Sequence, residues 1–462
     1  MTSPVPQRFD TAWQAALLQA EQAAQQFGLD VVVARDHLGR ASLLLDDRGP
    51  NNELDVDDQN VVAVRDAFVA ATHPFTGLEP LLLGHLLFAP DLYFDADDRM
   101  EVSPRQATNP GAGSVHILER TAIGTDWTRP AAPAQSQPGN GNDWDRRDRR
   151  VSLFGFKGGV GRSTATAILA RYLADRGRCV LVVDLDLESP GVSNLLEGPE
   201  GIAEHGIVDH LVEAGVGNDA GLELVSRATA LPVRGLTNGE VWLAPAGGRP
   251  RAGKPYDYLP KLNRIYSDLA ALTPGGPRRP FSARLEQAIT ACEDQVATES
   301  RRPDIVLLDC RAGLHDIAAV SLTHLSGLAL LFTVDNPSTW EGYRMLFEQW
   351  ALRPDHARDL VDRLRIVAAM FHSAGDVQRL PTLRERSYAL FNETLYDPDD
   401  ARLPDDEEAP HWAIPILFGN DLIGLDPLRS RAWPELPLVE AAYQTFTTTV
   451  EKLLPPPHPE PR

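Results

Sequence analysis

Lys157, Gly158, Gly159, Val160, Gly161, Arg162, Ser163 and Thr164 follow one another between the apolar run VSLFGF and a helix-forming stretch. Glycines at three of these positions let successive backbone N–H groups turn inward around an anion. A helix starting behind them adds partial positive charge at the same point. Lys157 and Arg162 can reach phosphate oxygens, and the Ser163 hydroxyl is placed to reach Mg²⁺. A tight turn between strand and helix needs the glycines but neither the two cations nor the hydroxyls. The chemistry that fits the full set is the holding of phosphates.

Two groups of acids end apolar runs further along. CVLVVDLD carries Asp184 and Asp186, whose spacing of two points both side chains the same way if the strand continues. They leave the carboxyl end of a strand, where open α/β sheets place their ligands. IVLLD ends in Asp309 about 150 residues beyond the glycine loop, and Cys310, Arg311, Ala312 and Gly313 follow. An apolar strand ending in Asp is the shape that holds Mg²⁺ through a water. Either group alone reads as solvated acids at a strand end; the glycine loop ahead of both favours catalysis. Cys310 has no base pattern around it and reads as a small packed residue. His205, His210 and the other histidines lack metal-ligand spacing and read as structural.

The loop departs from G-x-x-x-x-G-K-[ST] at Phe156, where the first glycine would stand, and at Arg162, where the lysine would. With the additional Lys157 it resembles the deviant Walker A motif, KGGxGK[ST], of the ParA/MinD group of ATPases, in a KGGVGR[ST] form that keeps the charge. Arg is longer, planar and bidentate, so it is not a neutral replacement. The resemblance covers about residues 150–450. It implies that Lys157 reaches across a dimer interface to the partner's nucleotide, and that Asp186 orients or activates the attacking water. Arg162 would assist catalysis beside them. Gly158, Gly159, Val160, Gly161, Arg162, Ser163 and Thr164 would cradle the nucleotide, and Ser163, Asp184 and Asp309 would hold the metal. Asp184 would support the Mg²⁺ shell or the switch loop, and Pro190 with Gly191 fits the family's SPG variant of that loop. Gly313 would sense the γ-phosphate in a region like D-x-PAG, where Arg311 replaces the usual proline. Ile414 and Pro415 resemble a last loop that wraps adenine by its backbone, whereas His372 and Ser373 fail to match the family's adenine-contacting Asn.

The implied cofactors are ATP and Mg²⁺, and the implied behaviour is a homodimer formed with ATP and released by hydrolysis. A nucleotide-sensing scaffold with little hydrolysis is the alternative, motivated by Arg162 and Arg311. Bacterial tyrosine kinases share such motifs but carry a C-terminal tyrosine cluster, and no tyrosine follows Tyr443. The variant motif with an extra N-terminal domain suggests bacterial defence or signalling, with a protein partner recruited through that domain.

The elements that must position these residues follow from composition and periodicity. A chain of 462 residues is too long for one small core and implies two or three domains. A net charge of −21 weighs against general affinity for nucleic acid, leaving only short basic clusters such as Arg146 with Arg147 and Arg149 with Arg150. A surface formed only by the ATP-bound dimer is the remaining candidate for DNA contact. Three cysteines without paired spacing fit a reducing cytoplasm. The chain shows no secretory-type segment and no apolar run of about 18 residues, so export and membrane spanning are not expected. Its proline-rich C-terminal end is unlike a basic amphipathic membrane anchor.

Residues 150–456 are expected to fold as α/β, a doubly wound, mostly parallel sheet of P-loop NTPase type. The expected strands are 151–156, 179–186, 241–246, 304–310, 328–335, 365–371 and 412–417, with a helical insert at about 248–300. Residues 1–128 read as a small α+β domain: a helix at 11–27 with Asp10 as cap, a hairpin of 29–34 with 41–46, a helix at 57–72 and a strand at 114–122. Residues 129–149 read as a flexible linker whose charge-mixed end is a solvated lead-in, and 457–462 as a disordered tail.

Overall fold

The computed structural model of the chain describes residues 7–49, 52–96, 99–102, 113–119, 124–127, 146–197, 201–229, 237–249, 256–266, 279–371, 379–397, 402–418 and 435–458. Two compact units divide the chain, Met1–Thr125 and Asp126–Arg462.

In the first unit, α1 (Phe9–Phe27) buries Ala12, Ala16, Ala20, Ala23 and Ala24, a helical-period stripe small enough for close packing. The helix stops at Gly28, whose φ of 65° suits glycine and whose N–H bonds Ala24 O at 3.0 Å. Its start is closed by Thr11, whose Oγ1 accepts from Arg8 N at 3.0 Å. Asp10 therefore is not the cap; it lies in the first turn, where a negative charge meets the helix dipole. β1 (Val31–Arg35) and β2 (Ala41–Leu45) form the expected antiparallel hairpin. α2 (Gln59–Thr72) is capped by Asp58, which accepts from Asn60 N. β3 (Thr76–Leu83), α3 (Asp91–Phe94), β4 (Met100–Glu101) and β5 (Val115–Glu119) complete the unit, with sheet order β3-β2-β1-β5-β4. β3 contains Gly77 and Pro80, which hide it from periodicity, and it lies at a sheet edge, where proline is tolerated.

The second unit is built on β6 (Arg150–Gly155), followed by α4 (Arg162–Ala174), β7 (Cys179–Leu185), α5 (Val192–Leu196), α6 (Ile207–Gly215), β8 (Ser226–Arg227) and β9 (Glu240–Ala244). Then come α7 (Tyr258–Leu262), α8 (Phe281–Glu299), β10 (Ile305–Cys310), α9 (Asp316–Val320) and β11 (Leu328–Thr333). The unit continues with α10 (Pro337–Ala351), α11 (Pro354–Val361), β12 (Leu364–Phe371), α12 (Arg379–Thr394), β13 (Ile414–Leu417) and α13 (Pro437–Leu453). The sheet order is β13-β12-β11-β6-β10-β7-β9-β8, and every pairing is parallel except β8 with β9. β6, β7, β10 and β11 are buried on both faces, which is why they read as continuous apolar runs.

One face of the sheet is covered by α4 and α13, through residues such as Leu169, Leu173, Tyr443 and Phe446. The other is covered by α6 and α8 over one half and by α10 and α12 over the other. Helices on both faces make the sheet doubly wound. α8 belongs to this covering layer, burying Phe281, Leu285, Ala288, Ile289, Cys292 and Val296, so the second half of the expected insert is part of the core.

The amino ends of the strands are pinned by charge, which corrects two expectations. Arg150 is 1% exposed, and its guanidinium donates to Glu293 at 2.7 and 3.1 Å. Arg149, also buried, donates to Asp304 O and Pro456 O, while Arg146 pairs with Glu293 and Asp294 and Arg147 with Asp359. These arginines are anchors, not a solvated lead-in or a free basic patch. The C-terminal segment docks at the same edge, where His458 N donates to Asp304 Oδ1 at 2.7 Å. Residues 128–145 and 459–462, covering most of the expected linker and tail, lie outside the described residues.

Candidate functional site

The opposite, carboxyl edge of the sheet carries the glycine loop. Gly155 ends β6 where any side chain would be crowded: a Cβ there would sit 3.1 Å from Val160 Cγ2 and 3.3 Å from Lys157 O. The loop therefore folds back on the strand end, with Val160 buried as its inner plug. Gly159 and Gly161 have φ of 74° and 82°, in the left-handed region that glycine adopts without strain. Apart from their chain neighbours, no atom lies within 4 Å of a Cβ built at Gly158, Gly159 or Gly161, so the space beside these glycines is open. Phe156, at the position of the missing glycine, is a packing residue whose ring meets Tyr343 at 6.0 Å and lies over Gly342 of α10. Lys157 is exposed and donates to Ser338 Oγ at the start of α10.

Arg162 opens α4 and is only 7% exposed, yet it is poorly bonded. Its Nη2 lies 3.5 Å from Asp186 Oδ2 and its Nε 4.0 Å from Asp309 Oδ1. Nε and Nη1 have no acceptor. Asp309 is fully buried; its Oδ1 accepts from Thr166 Oγ1 at 3.3 Å and its Oδ2 has no donor. Burial pushes the Asp309 carboxyl up to about 6 against the opposing Arg162 charge and a hydrogen bond from Ser163. Asp184 is also fully buried. Burial, and behind it the charge of Asp309, pushes its carboxyl up to about 7. Both Asp184 oxygens are taken by its own loop, from Ser193 N (3.0 Å), Ser193 Oγ (2.7 Å) and Asp186 N (3.2 Å). In this arrangement Asp184 shapes the loop, while Asp309 and Asp186 keep an unpartnered oxygen each. Gly191 of the same loop approaches Ser163, since a Cβ there would lie 3.2 Å from Ser163 Oγ. Gly313 has a φ of 83°, and its N–H is bonded to Gly155 O at 3.1 Å.

Buried donors and acceptors without partners are rare and call for a cause. Here the orphan guanidinium nitrogens and carboxylate oxygens surround an open glycine cradle at a helix N-terminus. These residues fit a magnesium-bound nucleotide: the Arg162 and backbone donors for phosphate, and Ser163 with Asp309 for the cation. Among the described residues no cluster of three His, Cys, Asp or Glu could hold a metal by itself. A cation here would depend on phosphate oxygens and water, the usual habit of Mg²⁺.

The structure brings Lys157, Gly158, Gly159, Val160, Gly161, Arg162, Ser163 and Thr164 to one edge, with Asp184, Asp186, Asp309 and Gly313 beside them. Pro415 lies within β13, three strands from β6, and does not join this cluster. His372 and Ser373 lie outside the described residues. Cys310 is fully buried, and its thiol is pushed up to about 12 by burial, as a packed residue should be. His210 is buried 3.7 Å from Asp219, and burial lowers its pKa. Sequence reasoning missed Gly155, Thr166 and the loop partners Glu188, Tyr258 and Tyr266. Only Gly155, the residue before Phe156, left a readable signal.

A doubly wound sheet with a glycine loop, a buried acid pair and a helix N-terminus at one carboxyl edge defines a P-loop nucleotide-binding domain. The chain matches the CobQ/CobB/MinD/ParA nucleotide binding domain over residues 151–390, more than half its length, and belongs to that family. It is 49% identical over 47 residues to the chromosome-partitioning ATPase Soj of Thermus thermophilus, spanning 19% of that protein's length and 10% of its own. Similar solved structures include pNOB8 ParA bound to nonspecific DNA (15% identity, TM-score 0.39, 66% of this chain and 96% of that one). Another is the Pyrococcus furiosus cell division ATPase MinD (20% identity, TM-score 0.38, 66% of this chain and 99% of that one). Family membership rests on the first match.

Proposed function

We propose that this chain binds and hydrolyses Mg·ATP and works as a switch that dimerises around the nucleotide. The observation that carries the proposal is Arg162, buried beside Asp186 and Asp309 with two donor nitrogens unpartnered above an open glycine cradle. Arg162 and the loop N–H groups bind and orient the phosphates and neutralise charge where it develops. Bound Mg²⁺, held through Ser163 and Asp309, supplies Lewis-acid polarisation of the phosphates. Asp186, with its unpartnered oxygen, accepts a hydrogen bond from the attacking water and aligns it. Asp184 keeps the loop in shape through Ser193. Lys157, exposed and held among the described residues only by Ser338, is the group assigned to cross to a second subunit's nucleotide. Pro415 is assigned to the adenine end by resemblance alone. The first unit, residues 1–125, is assigned to a protein partner, in a bacterial defence or signalling setting in the cytoplasm.

The test is Mg·ATP hydrolysis per subunit over a range of protein concentrations, with Lys157→Ala alongside. A rate per subunit that climbs with concentration and is lost in the variant supports the dimer switch. Tight ATP binding without turnover at any concentration replaces it with the nucleotide-sensing scaffold. A rate independent of concentration and of Lys157 removes the dimer from the mechanism.

A further inference from the structure

Glu188, two residues past Asp186, is held from three directions. Its carboxylate accepts from Tyr266 Oη, pairs with Arg311 Nη1 at 2.9 Å and faces His315 Nε2 at 3.3 Å. Next to it, Leu187 is fully buried and its carbonyl accepts from Tyr258 Oη at 2.5 Å. The Tyr266 ring meets His315 edge-on at 4.9 Å and lies 5.4 Å from Phe281. Three stretches of chain converge here: the loop after β7 that carries Asp186, the loop after β10 that carries Gly313, and residues 256–266 ahead of α8. Burial raises the pKa of both tyrosines, so each stays a neutral donor across the physiological range.

These contacts link the two loops that must respond to a nucleotide. Gly313 N–H is bonded to Gly155 O, so it can meet a phosphate only if residues 311–315 shift. Arg311 sits in that stretch and grips Glu188, so the shift is transmitted to the chain two residues from Asp186. A proline at 311 could make no such grip. We propose that Glu188 and Arg311 are positioning residues that lock the Asp186 loop to the Gly313 loop, so that the two rearrange as one body clamped by Tyr258 and Tyr266. The coupling deepens the ATPase reading and rests on it for its purpose, while the lock itself exists without nucleotide.

Hydrogen–deuterium exchange on the full chain without nucleotide tests it. In Arg311→Ala, peptides covering 184–193 should exchange several-fold faster although none of their residues has changed. Glu188→Gln should loosen 311–315 in the same way. The double variant should exchange no faster in either loop than the looser single variant, and Arg311→Lys should recover part of the protection. Faster exchange confined to the mutated residue's own loop, or additive effects in the double variant, would overturn the lock. If Arg311→Ala also loosens β6, Tyr266→Phe, which removes one hydroxyl, carries the test with the same two outcomes. With Mg·ATP, Arg311→Ala should lower kcat while the affinity for a fluorescent ATP analogue stays within about twofold; a loss of affinity with kcat intact contradicts a positioning role. Failure of the wild-type chain to bind ATP would sink the ATPase reading and leave the exchange result standing.

Discussion

Two buried arginines flank β6, Arg150 at its amino end and Arg162 in the helix beyond the loop at its carboxyl end, and the contrast between them locates the function. At the amino end Arg150 is well bonded: Glu293 receives two of its donors and Thr290 a third. At the carboxyl end Arg162 is nearly as buried, but it has only loose carboxylate neighbours and two idle nitrogens. A buried ion pair with complete hydrogen bonding is a fastener, costly to break from one side. A buried cation left incomplete next to an open cradle is a site built for a missing anion. The anchor and the chemistry thus lie beyond opposite ends of one strand.

The sharpest break of this contrast is Glu293→Ala, which strands Arg150. It should cost about 3–5 kcal/mol of unfolding free energy, read as a lower urea midpoint, and leave Mg·ATP affinity of the folded fraction unchanged. His356 asks whether an idle buried nitrogen alone marks a site. It is buried with Nε2 unpartnered, and burial, aided by Arg353 and Arg363, lowers its pKa to about 4. The folded value lies below the unfolded value of about 6.5, so unfolding takes up a proton in the interval between them. The stability contribution is whole above pH 6.5 and is lost as pH falls toward 4, by about 3 kcal/mol. His356→Gln should flatten that acid limb without touching nucleotide binding. Arg162→Ala should weaken ATP binding ten- to a hundredfold, about 1.5–3 kcal/mol for charge-assisted hydrogen bonds, and cost less stability than Glu293→Ala. Smallest is Asp58→Ala in the first unit, where loss of a helix cap should cost about 1 kcal/mol and change nothing at the phosphate loop.

The strands were legible where burial on both faces forces an unbroken apolar run, as in β6, β7, β10 and β11. β3 was not, because Gly77 and Pro80 interrupt its pattern, and β8 is two residues long. The phosphate loop was legible because its residues are contiguous and their types follow from the ligand. Asp184, Asp186 and Asp309 could be placed because strand ends in a parallel sheet share one edge. What escaped was long-range pairing: the partner of Arg150 lies 143 residues away, and Tyr266 reaches Glu188 across 78. Neither short motifs nor periodicity encode such pairs. Arg149 and Arg150 looked solvated for that reason, although each is buried.

The most direct test of the central claim is the thermal unfolding midpoint of the full chain with and without Mg·ATP, for wild type and Arg162→Ala. Ligand that binds only the folded state raises the midpoint by mass action, adding about 2.7 kcal/mol of unfolding free energy at a hundredfold excess over Kd. The account expects Mg·ATP to raise the wild-type midpoint and to raise that of Arg162→Ala by about half as much or less. A wild-type midpoint indifferent to Mg·ATP, or a variant stabilised as fully as the wild type, would contradict it.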